Sequence, residues 1–393
     1  MKKDWQIKKL GEVCEFQGGS QPPKEEWIKE PREGYIRMLQ IRDFTQSRNF
    51  DIEYVKETNK LRLCNSDDIL LGRYGASVGK VLTGLSGAYN VAILKTIPSS
   101  DYYKPFIKYY FQSPFFQNPL LTLCNQRAAQ AGFNREDIYD FSIPYLTLEE
   151  QKRIVAMLDK KFAQIETLKT AAEKNLHNTK QLFQAELEKA FSNDNSKKVS
   201  ISDVCDVSSS KRIYAEEQTQ SGVPFLRVSD LVARIQGIER NDLFISKEQF
   251  IEFKNKGLVP KENDVLVTSR GTLGLCYIVK KNDEFYFQDG MITWLSLKQN
   301  IDAKFLTYLF ESELVKKQIK DKSAGAAVSY ISISEIRKFE IILPALEEQK
   351  RIVAHLDSLS EKVHQLEEIY KKQLADCDEL KQSLLQKAFE GEL

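Results

Sequence analysis

The sequence predicts two copies of one mixed α/β fold, an α+β arrangement of short strands and helices, separated by two long antiparallel α-helices, and three observations predict it. Residues 148–156, LEEQKRIVA, return residue for residue at 346–354, an offset of 198. The register still holds at the far end, where Lys189-Ala190-Phe191 reappears as Lys387-Ala388-Phe389. Ahead of each of these segments lies a stretch with the same apolar frame and different loop residues. The expected layout is a first domain over 1–147, a long helix over 148–191, a linker over 192–198, a second domain over 199–345 and a second long helix over 346–393.

The helices rest on apolar spacing. In the second segment Ile352, Leu356, Leu359, Val363, Leu366 and Tyr370 step by four and three, and Cys377, Leu380 and Leu384 resume the stripe. The first runs through Ile154, Leu158, Phe162, Ile165, Leu168, Ala172 and Leu176, then Leu182 and Leu187. Such alternation is a coiled-coil seam. Neither run contains Gly or Pro, and each gives a rod of roughly 65 Å at about 1.5 Å per residue. Thr147 with Glu150 forms a capping box for the first rod; the second has Ala345 there, and Pro344 marks its break. Two seams bury each other most simply when antiparallel, which gives an approximate two-fold axis and holds the domains apart on a stiff coiled-coil spacer.

Within the domains, Leu10-Gly11-Glu12-Val13-Cys14 is matched by Ile201-Ser202-Asp203-Val204-Cys205. The strand-like residues 35–41 are matched by 223–228, each followed by an aspartate, Asp43 or Asp230. Asp68-Ile69-Leu70-Leu71 runs into a glycine turn at Gly75, as Asp264-Val265-Leu266-Val267 does at Gly271. Aromatic helices are expected around Phe106 and Phe305, and a short strand over 141–143 ends at Pro144.

Composition narrows the class. The chain has 393 residues and a net charge of +1. By segment the charge is +3 over 1–147, +1 over 148–191, +1 over 192–345 and −4 over 346–393. No domain is basic overall, so nucleic-acid binding requires positive charge gathered on one face or supplied by partner subunits. No apolar run approaches the ~18 residues that span a bilayer, and no signal-peptide core follows Met1. Six scattered cysteines without a C-x-x-C fit reduced thiols in a cytoplasmic protein.

At residues 144–155 (PYLTLEEQKRIV), at their repeat from Leu343-Pro344 onward, and at the closing 385–393 (LQKAFEGEL), the chain resembles type I restriction–modification specificity subunits over its whole length. The resemblance implies two target-recognition domains, each reading one half of a bipartite, asymmetric double-stranded DNA sequence, with the helix pair setting the gap. It implies a non-catalytic chain without cofactors of its own. Chemistry would reside in partners: two methyltransferase subunits using S-adenosylmethionine, and restriction/translocase subunits using ATP and Mg. The repeated LEEQKRIVA starts could dock two identical methyltransferase subunits. A coiled-coil adaptor or regulator that never touches DNA is the alternative.

The residues agree with a binding protein. Residues 75–80 (GASVGK) have three residues between the glycines and Val81 after the lysine, which excludes a P-loop. By resemblance to amino-methyltransferases, an Asn/Asp-Pro-Pro-aromatic tetrapeptide is expected in that class, and none is present. His177, His355 and His364 all fall on the long helices. Base edges are read chiefly by Arg, Asn and Gln on loops that can enter a groove. The candidates in the first domain are Arg73, Tyr74, Ser77, Lys80, Gln126, Arg127, Gln130 and Asn134, ahead of Arg37 and Arg42. In the second they are Ser269, Arg270, Thr272, Lys322, Ser329 and Tyr330, with Lys211, Arg212 and Arg227 holding backbone. Arg73 and Arg270 lead, because each stands beside the turn glycine of its domain, Gly75 or Gly271.

Overall fold

A computed structural model describes residues 5–46, 51–126, 132–192, 197–323 and 329–393. It divides into two compact units, Met1–Glu173 with Lys371–Leu393 and Lys174–Tyr370. Each unit therefore combines one α/β domain with a stretch of both long helices.

In the first unit a four-stranded antiparallel sheet has the order Cys14–Gly18, Ile93–Pro98, Ile69–Gly72, Val81–Leu82. The second unit repeats it with Cys205–Ser208, Ile292–Leu297, Val265–Thr268 and Cys276–Ile278. Alternation along the central strand sorts its side chains to opposite faces. Ile69 and Leu71 join the core that contains the helices, and Leu70 joins a separate cluster with Leu39 and Tyr89. Val265 and Val267 divide from Leu266 in the same way. A further sheet pairs Tyr35–Leu39 in parallel with Gly87–Tyr89, as Val223–Leu226 pairs with Tyr286–Phe287. The strand that enters each domain pairs with the strand that leaves it, Gln6–Lys9 with Ser142–Tyr145 and Lys197–Ser200 with Glu340–Leu343. Two domains of one topology follow from one apolar frame.

The aromatic helices are Lys104–Gln112 and Ala303–Glu311. They seat the domains on the rods. In the first unit Phe389, fully buried, lies 5.1 Å from the Phe106 ring centroid and 5.8 Å from that of Tyr110. In the second, Phe191 stands 5.4 Å from Phe305. The repeated Lys-Ala-Phe ends complete the domain cores.

The long helices are Leu148–Phe191 and Leu346–Glu390. The second stops three residues short of 393 because Gly391 turns to φ +81°, a left-handed helix cap. Inside the first unit Arg153 donates to the Leu393 carbonyl and Lys169 pairs with Asp378, so the two runs are antiparallel there. Inside the second, Glu186 faces His355.

The seam is narrower than the four-and-three spacing suggests. Of the predicted stripe, Ile154, Leu158, Ile165 and Ala172 are buried in the first unit and Leu356 and Val363 in the second, while Phe162 and Leu359 are half-buried. Leu168, Leu182, Leu366 and Leu380 are exposed. A helix with a single helical neighbour covers only a strip of its surface, and apolar residues flanking that strip stay wet.

One smaller expectation also changes. Lys197 and Lys198 belong to a strand instead of the linker, because their backbone pairs with Leu343 and Ile342. At the start of the first rod the Thr147 hydroxyl accepts from the Glu150 N–H at 3.3 Å, and the Glu150 carboxylate also pairs with Arg153. Ser246 caps its helix in the same way, accepting from the Gln249 N–H, while the Gln249 side chain donates to Glu217.

Candidate nucleic-acid interface

In each domain the central strand ends at a glycine turn, and a second loop is laid against it. Gly75 and Gly271 have φ +55° and +75°, the left-handed region where a side chain is strained. Beyond the first turn, Tyr74 bridges Gly132 and the Phe133 N–H donates to the Arg73 carbonyl. A Cβ on Gly132 would stand 2.6 Å from the Tyr74 ring, so this pairing depends on glycine there. In the second domain Arg270 bridges Tyr330, Gly271 N–H donates to the Ser329 carbonyl and Ile331 N–H to that of Ser269. The two loops nominated in each domain therefore meet.

The bridges keep the match between the two glycine turns, Gly75 with Gly271. Tyr74 is the counterpart of Arg270, and Arg73 that of Ser269, so the two leading arginines are not equivalent. Arg73 is turned into the loop junction, where it donates to the Phe133 carbonyl at 3.1 Å and the Asn134 carboxamide oxygen at 2.8 Å. Its guanidinium lies 5.1 Å from the centroid of the exposed Tyr74 ring. Arg270 projects from the turn, and its recorded polar contact is the Met291 sulfur at 3.5 Å. Among the described residues no carboxylate pairs with it.

Around Arg270 the surface is hollow. A cavity of about 600 Å³ is lined by Arg227, Ser229, Arg270, Thr272, Gln288 and Met291, among others. Val223–Leu226 and Tyr286–Phe287 run parallel and end together at its floor, and the Gln288 N–H donates to the Leu226 carbonyl. Arg227 is held by Asp230 at 2.9 Å and by Asp242 at 2.9 Å. The Asp230 carboxylate raises the guanidinium's pKa against the opposing effect of burial, with Asp242 adding to it. Ser229 lies in the first turn of helix Val228–Ile235, and Gln288 follows the strand Tyr286–Phe287, whose two residues carry no periodicity in the sequence.

The other candidates divide. Lys80, Gln126, Asn134, Thr272, Ser329 and Tyr330 are exposed. Lys211 is exposed with its ammonium 5.4 Å from the Phe253 ring centroid, and Arg212 pairs with Asp289 at 3.0 Å. Lys322 is exposed near the end of helix Glu313–Ser323. Ser77 and Ser269 are corrections: both are buried, bonded to the Tyr74 carbonyl at 2.6 Å and the Thr293 hydroxyl at 2.6 Å. A hydroxyl closed into the turn cannot reach a base edge. Arg127 and Gln130 lie outside the described residues. Arg37 and Arg42 are engaged by Asp43 and Glu53.

All six cysteines are free thiols; burial pushes Cys14 and Cys205 up to about 12 and Cys64 up to about 11. The three histidines are exposed on the long helices. Among the described residues no cluster of His, Cys, Asp or Glu could hold a metal, and no helix is long and apolar enough to cross a membrane.

The family model for the type I restriction modification DNA specificity domain matches this chain twice, over residues 2–176 and 193–375. The chain belongs to that family. It is a specificity subunit of a type I restriction–modification system, with two DNA-recognition domains and without support for the adaptor alternative. The type I restriction enzyme MjaVIII specificity subunit of Methanocaldococcus jannaschii is 25% identical, over 99% of this chain and 93% of that one. The EcoKI specificity subunit of Escherichia coli K12 is 24% identical, over 99% and 89%. Among solved structures, a chain from work on complex assembly and conformational transition of the type I R-M system superposes with a TM-score of 0.78, at 20% identity over 99% of this specificity subunit and 98% of that chain. The HsdS subunit from Thermoanaerobacter tengcongensis gives 0.59 at 20% identity, over 100% and 98%.

Proposed function

We propose that each recognition domain reads one half of a bipartite, asymmetric DNA target through the face where its two loops meet, while the helix pair sets the gap. The observation that carries this reading is Arg270, a guanidinium without a carboxylate partner among the described residues, on the rim of a cavity that also offers Thr272, Gln288 and Ser229. An unneutralised arginine beside amide and hydroxyl groups suits guanine and adenine edges, with phosphates alongside. In the second domain Arg270, Thr272, Ser329 and Tyr330 form the reading edge. Lys211, Arg212 and Lys322 supply surrounding positive charge, and Arg227 orders the cavity wall. In the first domain Tyr74, Lys80, Gln126 and Asn134 are the counterparts, with Arg73 ordering the junction.

The chain performs no chemistry in this reading. Two methyltransferase subunits using S-adenosylmethionine and restriction/translocase subunits using ATP and Mg act around it, in the cytoplasm. The test is an anisotropy titration of the full chain assembled with its methyltransferase subunits, using duplexes that carry the split motif found by methylome sequencing of the host. Steep salt dependence together with discrimination at both half-sites is expected. Equal affinity for scrambled half-sites would overturn the reading.

A further inference from the structure

The most conspicuous part of the repeat after its length is a glutamine. Gln151 and Gln349 are both fully buried. Glutamine is seldom placed so, since an unbonded amide in the interior costs about 1–3 kcal/mol. Each carboxamide is bonded three times, and each to the same places. Gln151 accepts from the Tyr103 N–H at 2.8 Å and donates to the carbonyls of Asp101 and Leu146, both at 2.9 Å. Gln349 accepts from the Asp302 N–H at 2.9 Å and donates to the carbonyls of Asn300 at 3.0 Å and Pro344 at 2.9 Å. In each unit the side chain thus ties the first turn of the long helix to the loop that starts the domain's aromatic helix.

Two turns further along each helix a second polar tie repeats. The Tyr109 hydroxyl donates to Asp159, and that of Tyr308 to Asp357 at 2.6 Å. Eight residues separate the ties, about 12 Å along the helix axis. One attachment leaves a domain free to pivot, whereas two directional attachments spaced along the rod fix both its tilt and its rotation. Every partner of the two glutamines is a backbone atom. Such a tie does not depend on which side chains the recognition domain carries, so domains with different reading faces are seated in one pose.

We propose that Gln151 and Gln349 are positioning residues that fix the pose of each recognition domain on its helix and so set how strictly the gap between half-sites is measured. This rests on the reading that the helix pair sets the gap. Apolar packing around Phe389 and Phe191 holds each domain on, but close packing is less directional than a carboxamide bonded in three directions.

The experiment uses the full chain with its methyltransferase subunits and three duplexes: the motif with its natural gap, and the gap lengthened or shortened by one base pair. Discrimination is the ratio of binding to the natural gap over binding to the altered gaps. Gln349→Met should lower it about tenfold, and Tyr308→Phe, which deletes one hydroxyl and spares the buried amide site, about threefold. Discrimination against base changes within either half-site should stay within about twofold of wild type for both. Tyr308→Phe keeps the test open if Gln349→Met fails to fold. Unchanged gap discrimination in Tyr308→Phe, with binding weakened equally on all three duplexes, would reduce the ties to ordinary fold stability and overturn the inference. A wild-type chain that accepts all three gaps equally would overturn the spacing reading and this inference with it.

Discussion

Arg227 and Arg270 line one cavity, yet the structure assigns them opposite consequences on removal. Asp230 is buried, with 1% of its side chain exposed, and accepts from the Arg227 backbone N–H at 3.0 Å and from its guanidinium at 2.9 Å. Truncation in Arg227→Ala leaves that carboxylate with the backbone N–H, the Ser229 hydroxyl at 3.4 Å and Arg240 at 3.9 Å. Stranding one member of a wholly buried pair costs about 3–5 kcal/mol. Because 37% of the Arg227 side chain is exposed, water relieves part of this, and roughly 2 kcal/mol is expected. Arg270 leaves no carboxylate behind, so Arg270→Ala should alter stability by less than about 0.5 kcal/mol. It should weaken duplex binding by about 1–3 kcal/mol, or reduce the salt slope by about one if the contact is to phosphate. The assays are urea denaturation of the second unit and anisotropy between 50 and 200 mM salt, a range over which phosphate contacts change affinity by orders of magnitude. The reasoning fails if Arg270→Ala unfolds the unit as readily as Arg227→Ala, or leaves both affinity and salt slope untouched.

Phe389→Ala should open the first domain's core by about 3–5 kcal/mol, and hydrogen exchange should show protection lost over 104–124 and kept over 303–323. On the first long helix, Leu158→Ala should cost about 2–5 kcal/mol and Leu168→Ala under about 0.5 kcal/mol, compared by denaturation of the two variants. Asp68 is held below the usual carboxylate range: burial works against the charge, and Lys95, the Asn65 N–H and Lys104 outweigh it. Its stabilising contribution is present above the unfolded carboxylate pKa near 3.9 and is lost as pH falls through the lower folded value. Asp68→Asn should therefore flatten the acid limb of the first unit's stability curve, measured from about pH 5 downward.

The repeat made the domain order, the long helices and the common topology legible, because an apolar frame at fixed spacing constrains strands and helices alike. The nominated loops meet through backbone bridges in both domains, but residue type alone did not tell which of their side chains face outward. Arg73 and Arg270 share nearness to a turn glycine but not a position, since Tyr74 faces Gly132 as Arg270 faces Tyr330. Ser77 and Ser269 looked available beside their glycines, but Ser77 bonds back to its own turn and Ser269 to Thr293 on the neighbouring strand, which no pattern of residue types announces. Gln288 was invisible because a two-residue strand has no period to detect. The exposed leucines of the rods mislead for a related reason. Four-and-three spacing describes a stripe, but how much of the stripe is covered depends on the number of neighbouring helices.

In the proposed function one scaffold carries two separable reading heads. Replacing residues 1–147 with the corresponding domain of another family member and sequencing the methylome of cells carrying the hybrid addresses that directly. One half of the methylated motif should change, while the other half and the number of base pairs between them stay as they were. A hybrid that modifies the original motif, or one in which both halves change together, would contradict it.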